Sequence, residues 1–286
     1  VSMACMEDYA LPPLVSDIAT TGHDELWNHE CHIIAEEKVV NKVTYRTPDY
    51  ALASAQDYRP GEQGKREHIW QATLGPEAVV YSTHPACMGQ SEAHIPGFWL
   101  GNATLPRVAQ WKDVLIAIYN LPDNDWMGYT HAYFPAYAFD AHVIRENAQG
   151  QAWAFARKDE AYIALTASQG LTRTFQEPGA YRELRSYGKD IVWCCQMGRA
   201  ALDGDFETFQ ERVLARPLTF EGLAIHFETL RGETLEFGWE DPLLYNGEEQ
   251  PLSSFKHYEN PYCVTDLDAP EMEIRSDKYL MRLKFT

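Results

Sequence analysis

AWAFARK (152–158) and AYIALTAS (161–168) are two β-prone runs separated only by Asp159 and Glu160. A two-residue polar connection between runs of this composition predicts a tight hairpin of antiparallel strands. The same texture extends in both directions. Upstream lie HIIAEEKVVNKVTYRT (32–47), AVVYSTH (78–84), VLIAIYN (114–120) and AHVIRE (141–146). Downstream, ELRSYGKDIVWCCQMG (183–198) reads as two strands around a turn at Gly188. LAIHFETLRG (223–232), TLEFGW (234–239), LLYNGEEQ (243–250), MEIRS (272–276) and KYLMRLKF (278–285) continue the pattern. Gly, Pro, Asn and Asp punctuate these runs at short intervals, as in a sandwich. The expectation is a mainly β fold: a large, supersandwich-like antiparallel β-sandwich.

Two stretches differ. GDFETFQERVLA (204–215) places Phe206, Phe209, Val213 and Leu214 on one helical face, with Asp203 or Asp205 as its cap. This predicts one short inserted helix. Residues 1–30 read as a helical or irregular lead, interrupted at Pro12 and Pro13. The sandwich domain is then expected over 31–286.

The 286 residues suffice for one large β domain or two modest ones. Net charge is −18, which opposes binding to nucleic acid or to an anionic membrane. No stretch is long and apolar enough for a membrane span. The six cysteines contain no C-x-x-C pair, and buried thiols are expected rather than a disulfide framework. No P-loop, G-x-S-x-G elbow or dinucleotide fingerprint is present, so no cofactor is implied. His23, His29 and His32 lack metalloprotease spacing, and His84, His94 and Glu92 form only a loose set. No metal site is expected.

Aromatic and histidine residues concentrate between Tyr45 and Asp140. His84 ends a strand, where a side chain reaches a cleft and can serve as a general base or remain a structural histidine. YTHAYFP alternates Tyr129, His131 and Tyr133 on one strand face, as acid and base or as a hydrogen-bonded ladder. FWLGNATLPR offers Trp99, Asn102 and Arg107; Asn102 and Arg107 suit a carboxylate, or the loop simply packs. His68 and Trp70 alternate in REHIWQATL, as a sugar platform or a cross-strand pair inside the sandwich.

Taken together, TYRTPDYALASAQDYRPG, HIWQATL, VVYSTHP, FWLGN…LPR, THAYFP…FD and the AYIAL hairpin resemble the C-terminal β-sandwich of heparinase II/III-like proteins. The resemblance spans about residues 31–286. It implies cleavage of uronic-acid-containing polysaccharide by β-elimination. In that scheme a neutraliser binds the C5 carboxylate, a base removes the α-proton and an acid protonates the leaving oxygen. By position, His84 resembles the sandwich-borne histidine, and His131 or Tyr133 would be the acid and base. Asn102 or Arg107 would meet the carboxylate, with His68, Trp70, Trp99 and Tyr129 lining the sugar. The resemblance further implies an upstream helical toroid or partner chain, with residues 1–30 as its last turn. A start at Val1 without an initiator Met fits a mature product or the C-terminal part of something longer. A secreted or periplasmic location would follow from the lyase reading. A groove of Arg46, Arg59, Lys65, Arg66 and Arg107 would be needed to offset the acidic charge.

Two other readings stand beside it. One is a non-catalytic carbohydrate-binding or structural sandwich supporting a separate catalytic domain. The other is a glycoside hydrolase using two of Asp125, Asp140 and Glu146.

Overall fold

A computed structural model describes residues 10–34, 38–64, 66–85, 98–99, 101–174 and 181–285. Among these, the hairpin at Asp159–Glu160 forms with Lys158 opposite Ala161, and Asp159 takes a positive φ of 51°. Asp140 holds the turn. Its carboxylate accepts from the Asp159 amide at 2.7 Å and from Lys158 Nζ at 2.9 Å.

The hairpin sits inside a six-stranded sheet ordered Arg107–Trp111, Val114–Asn120, Asp190–Arg199, Ala161–Ala167, Ala152–Lys158, Ala141–Glu146. The middle strands lack a polar alternation because both faces of this sheet are covered. Leu115, Ala117, Tyr119, Ile163, Leu165, Trp193 and Cys195 pack on one side against Leu52, Ala72, Val80, Ala132 and Leu184. Ile116, Ile118, Tyr162, Ala164, Val192 and Cys194 pack on the other against Phe209, Val213, Phe227, Leu235 and Phe237. Adjacent Cys194 and Cys195 thus enter different cores, and both are free, buried thiols. Cys5 and Cys87 lie outside the described residues.

The first cover is a ten-stranded antiparallel sheet. Its order is Thr172–Arg173, Glu183–Tyr187, Tyr129–Tyr133, Val79–Thr83, Trp70–Thr73, Ala51–Gln56, Lys38–Arg46, Leu26–Ile34, Tyr258–Asn260, Cys263–Thr265. The second cover is a five-stranded sheet running from Leu218–Glu221 to Glu248–Gln250, together with the helix Phe206–Leu214. A separate hairpin, Glu271–Arg275 with Leu280–Lys284, follows. The fold is an antiparallel β-sandwich in which the inner sheet is shared by two cores.

The inserted helix begins at Asp205, whose side chain accepts from the Thr208 amide at 2.8 Å. Asp203 is instead buried one turn earlier, in the short helix Ala200–Asp203, where it pairs with Arg212 and Arg231. Gly198 has no room for a Cβ, which would fall on the Phe209 ring. The 183–198 segment does not fold back on itself at Gly188. Glu183–Tyr187 belongs to the ten-stranded sheet and Asp190–Arg199 to the six-stranded one. In the N-terminal lead, Pro13 opens the helix Pro13–Thr20, a position that needs no amide hydrogen. The strand Leu26–Ile34 runs across residue 30 and pairs along its length with Lys38–Arg46. Among the described residues no helix is long and apolar enough to cross a membrane.

Candidate functional site

Alternation along the ten-stranded sheet sends Leu52, Trp70, Ala72, Val80, Ser82, Ala132 and Leu184 inward. The opposite set faces away from the core. In register, Glu183, Tyr133 and Tyr81 form one row; Arg185, His131 and Thr83 form the next; Tyr187 and Tyr129 form a third.

Tyr81 and Tyr133 stack with ring centroids 5.4 Å apart and planes at 20°. Trp99 meets Tyr133 edge-on at 5.3 Å, and exposed His68 meets Tyr81 edge-on at 4.4 Å. The Tyr133 hydroxyl lies 2.8 Å from that of Tyr137, which is 58% exposed. Burial, and then the Tyr137 hydroxyl, push the Tyr133 phenol up to about 12, so it is protonated at neutral pH. Exposed Arg182 adds positive charge nearby.

From His68 the face continues into a trough of about 380 Å³ lined by Gln71, Ala53, Ala55, Thr44 and Lys42. The alanines make a shallow floor, and Lys42 pairs with Glu30 at the far wall. Five strands separate Lys42 from Tyr133, inclusive, so the face is about 19 Å across at the usual strand spacing.

His131 is enclosed beneath this surface. Its Nδ1–H donates to Glu183 Oε1 at 2.9 Å, and its Nε2 accepts from Thr83 Oγ1 at 2.8 Å. Trp99 covers the ring face and Phe98 meets its edge. Burial lowers the imidazole pKa, against the opposing pull of Glu183, and keeps the ring neutral. Burial alone would raise Glu183, but hydrogen bonds from His131, Arg185 and Thr174 outweigh it and hold the carboxyl at about 2. Both imidazole nitrogens being occupied, His131 is an anchor here and not an available base.

Four further expectations require correction. Trp70 lies on the inward face, 2% exposed, with its Nε1–H donating to Ser82 Oγ at 2.9 Å. Asn102 is fully buried and staples loops: Oδ1 accepts from the His84 amide at 2.9 Å, and Nδ2 donates to the Glu67 carbonyl at 3.2 Å. Arg107 points toward the five-stranded sheet. Its Nη1 donates to the carbonyls of Gly238, Trp239 and Asp241, and its Nε to Asp57. Tyr129 is largely buried beneath the Arg185 guanidinium, which lies 4.3 Å from its ring centroid.

His84 is 1% exposed and follows directly on the Val79–Thr83 strand, three residues beyond Tyr81. Its Nε2 pairs with Asp125 Oδ1 at 3.0 Å, and its Nδ1 has no hydrogen-bond partner among the described residues. The structure thus brings together His68, Trp99 and Tyr133 from the expected set, and adds Tyr81, Tyr137, Thr83 and Glu183. Tyr81 was readable from its position two residues before Thr83 on one strand face. Glu183 was signalled by a carboxylate alternating with Arg185 in an otherwise strand-like run. Among the described residues no three His, Cys, Asp or Glu side chains converge to hold a metal ion. Glu92, His94 and Lys65 lie outside the described residues.

Comparison with protein-family models, curated proteins and solved structures found no match to this chain.

Proposed function

We propose that this chain is a carbohydrate-binding β-sandwich whose sugar-contacting surface is the outer face of the ten-stranded sheet. The observation that carries this reading is the Tyr81–Tyr133 stack, flanked by Trp99, His68 and exposed Tyr137 and opening onto the alanine-floored trough. Apolar ring faces of sugars pack on such aromatics, and the hydroxyls of Tyr133 and Tyr137 supply polar partners at the edge. Isothermal titration against a panel of neutral and acidic oligosaccharides tests it. The Tyr133→Ala/Tyr137→Ala double variant should bind about tenfold more weakly, at unchanged fold. Equal affinity would sink the proposal.

A polysaccharide lyase, the activity implied by the heparinase II/III-like resemblance, is the second reading. Protonated Tyr133 beside Arg182 favours it, since the pair supplies a proton donor for the leaving oxygen and a positive charge for a uronate. The proton-abstracting group would then come from outside the described part of this face. Ultraviolet absorbance of unsaturated products from uronate polymers, lost in Tyr133→Phe, separates the two readings.

A further inference from the structure

Just beyond Thr83, where the Val79–Thr83 strand ends, lies a recess of about 150 Å³ lined by His84, Asp125, Trp126, Gln63, Asn124 and Thr104. Three observations set it apart. The His84 side chain is 1% exposed and lines the recess, with Nε2 3.0 Å from Asp125 Oδ1 and Nδ1 without a hydrogen-bond partner among the described residues. A buried polar group in that condition costs free energy unless water or a ligand satisfies it. Asp125 is oriented: its Oδ2 accepts from the Gly128 amide at 2.6 Å, which leaves Oδ1 toward His84. Trp126 stands at the rim with 62% of its surface exposed, unusual for so large an apolar ring.

The chemistry of these groups selects a ligand. A neutral imidazole offers one donor and one acceptor, and the carboxylate beside it offers only acceptors. Hydroxyl groups, which both donate and accept, complement that set. A carboxylate-bearing unit does not, because it would face Asp125 at close range. The Trp126 face suits the apolar side of a sugar ring. The recess has the volume of about five waters, room for the edge of one ring but not for a whole disaccharide.

We propose that His84, Asp125 and Trp126 form a second saccharide subsite that binds the vicinal hydroxyls of a neutral sugar unit. This rests on the carbohydrate-binding reading of the outer face, and adds to it a separate contact with its own selectivity.

The test is isothermal titration of the full chain with xylohexaose, cellohexaose, mannohexaose and hexagalacturonate, using wild type, Trp126→Ala, Asp125→Asn and the Tyr133→Ala/Tyr137→Ala variant. Far-ultraviolet circular dichroism checks the fold of each; Trp126 is exposed and Asp125→Asn is isosteric, so both variants should fold. At least one neutral hexasaccharide should bind about tenfold more weakly to Trp126→Ala and to Asp125→Asn. Hexagalacturonate should not gain from the recess: its affinity should be unchanged in Trp126→Ala and should rise, not fall, in Asp125→Asn. If saccharides bind with sensitivity to the tyrosines alone, the subsite is refuted and the outer-face reading stands. If none binds the wild type, both are refuted.

Discussion

Trp99 lies flat on His131, with ring centroids 4.2 Å apart and planes 6° from parallel. The indole shields a histidine already hydrogen-bonded at both nitrogens, and it also meets the rings of Tyr133, Tyr81 and Phe98 edge-on. One residue therefore belongs to two environments: a closed hydrogen-bonded chain of Thr83, His131 and Glu183 below, and an aromatic surface above. The hydrogen-bonded chain makes the aromatic surface rigid, because the strands carrying Tyr81 and Tyr133 are cross-linked through it.

Glu183 should make this cross-link pH-dependent. Its carboxyl is held at about 2 in the folded chain against an ordinary value of 4.5. A depressed folded value stabilises the fold above pH 4.5, and that contribution disappears as pH falls toward 2. Allowing for solvent screening, Glu183→Gln should cost about 2 kcal/mol at pH 7 and nothing near pH 2. Urea denaturation of both proteins across this range measures the difference. A constant gap would contradict the assignment.

Asp113 should show the opposite trend. It is buried near Arg231, Asp203 and Glu233, and burial raises its carboxyl from 3.8 to about 6 despite Arg231. A raised folded value favours the fold at low pH, and the ionised carboxylate costs stability as pH climbs through 6. Asp113→Asn should match wild type at pH 4 and become more stable by up to about 3 kcal/mol at pH 7. Loss of stability growing with pH would mean that the Arg231 pairing outweighs burial.

Arg107 is expected to matter for folding and not for binding. One guanidinium satisfies three carbonyls and Asp57, and it lies 4.7 Å from the centroid of Phe237. Lysine cannot reproduce that fork. Arg107→Lys should lower unfolding free energy by about 2–4 kcal/mol, with oligosaccharide affinity unchanged below the transition. Weaker affinity for acidic oligosaccharides at full stability would instead place Arg107 in contact with ligand.

The sandwich, the Asp159 hairpin and the capped helix were legible because each depends on local chemistry: β-prone runs punctuated by turn residues, a two-residue turn and an Asp three residues before a free amide. The fate of polar residues at strand ends was not. Whether His131 is a base or an anchor depends on Trp99 arriving from a distant loop, and on Glu183 arriving from a strand 52 positions away. Asn102 looks like a ligand group until its partners prove to be the backbones of His84 and Glu67. Trp70 was paired with His68 by simple alternation, but the strand begins only at Trp70, so His68 lies before the regular pleat. Arg107 is claimed by carbonyls more than 130 positions away.

The inner sheet, covered on both faces, carries a hazard along with its stability. Val114–Asn120 and Ala161–Ala167 contain no charge and no proline, the composition of segments that stack into cross-β assemblies when left uncovered. Their second cover, the helix and the five-stranded sheet, comes from residues 206–250, later in the chain than the strands it protects. During synthesis these strands therefore emerge before half of their shelter exists. Until that shelter arrives, their apolar faces and open edges are the part of the chain most prone to pair with another copy.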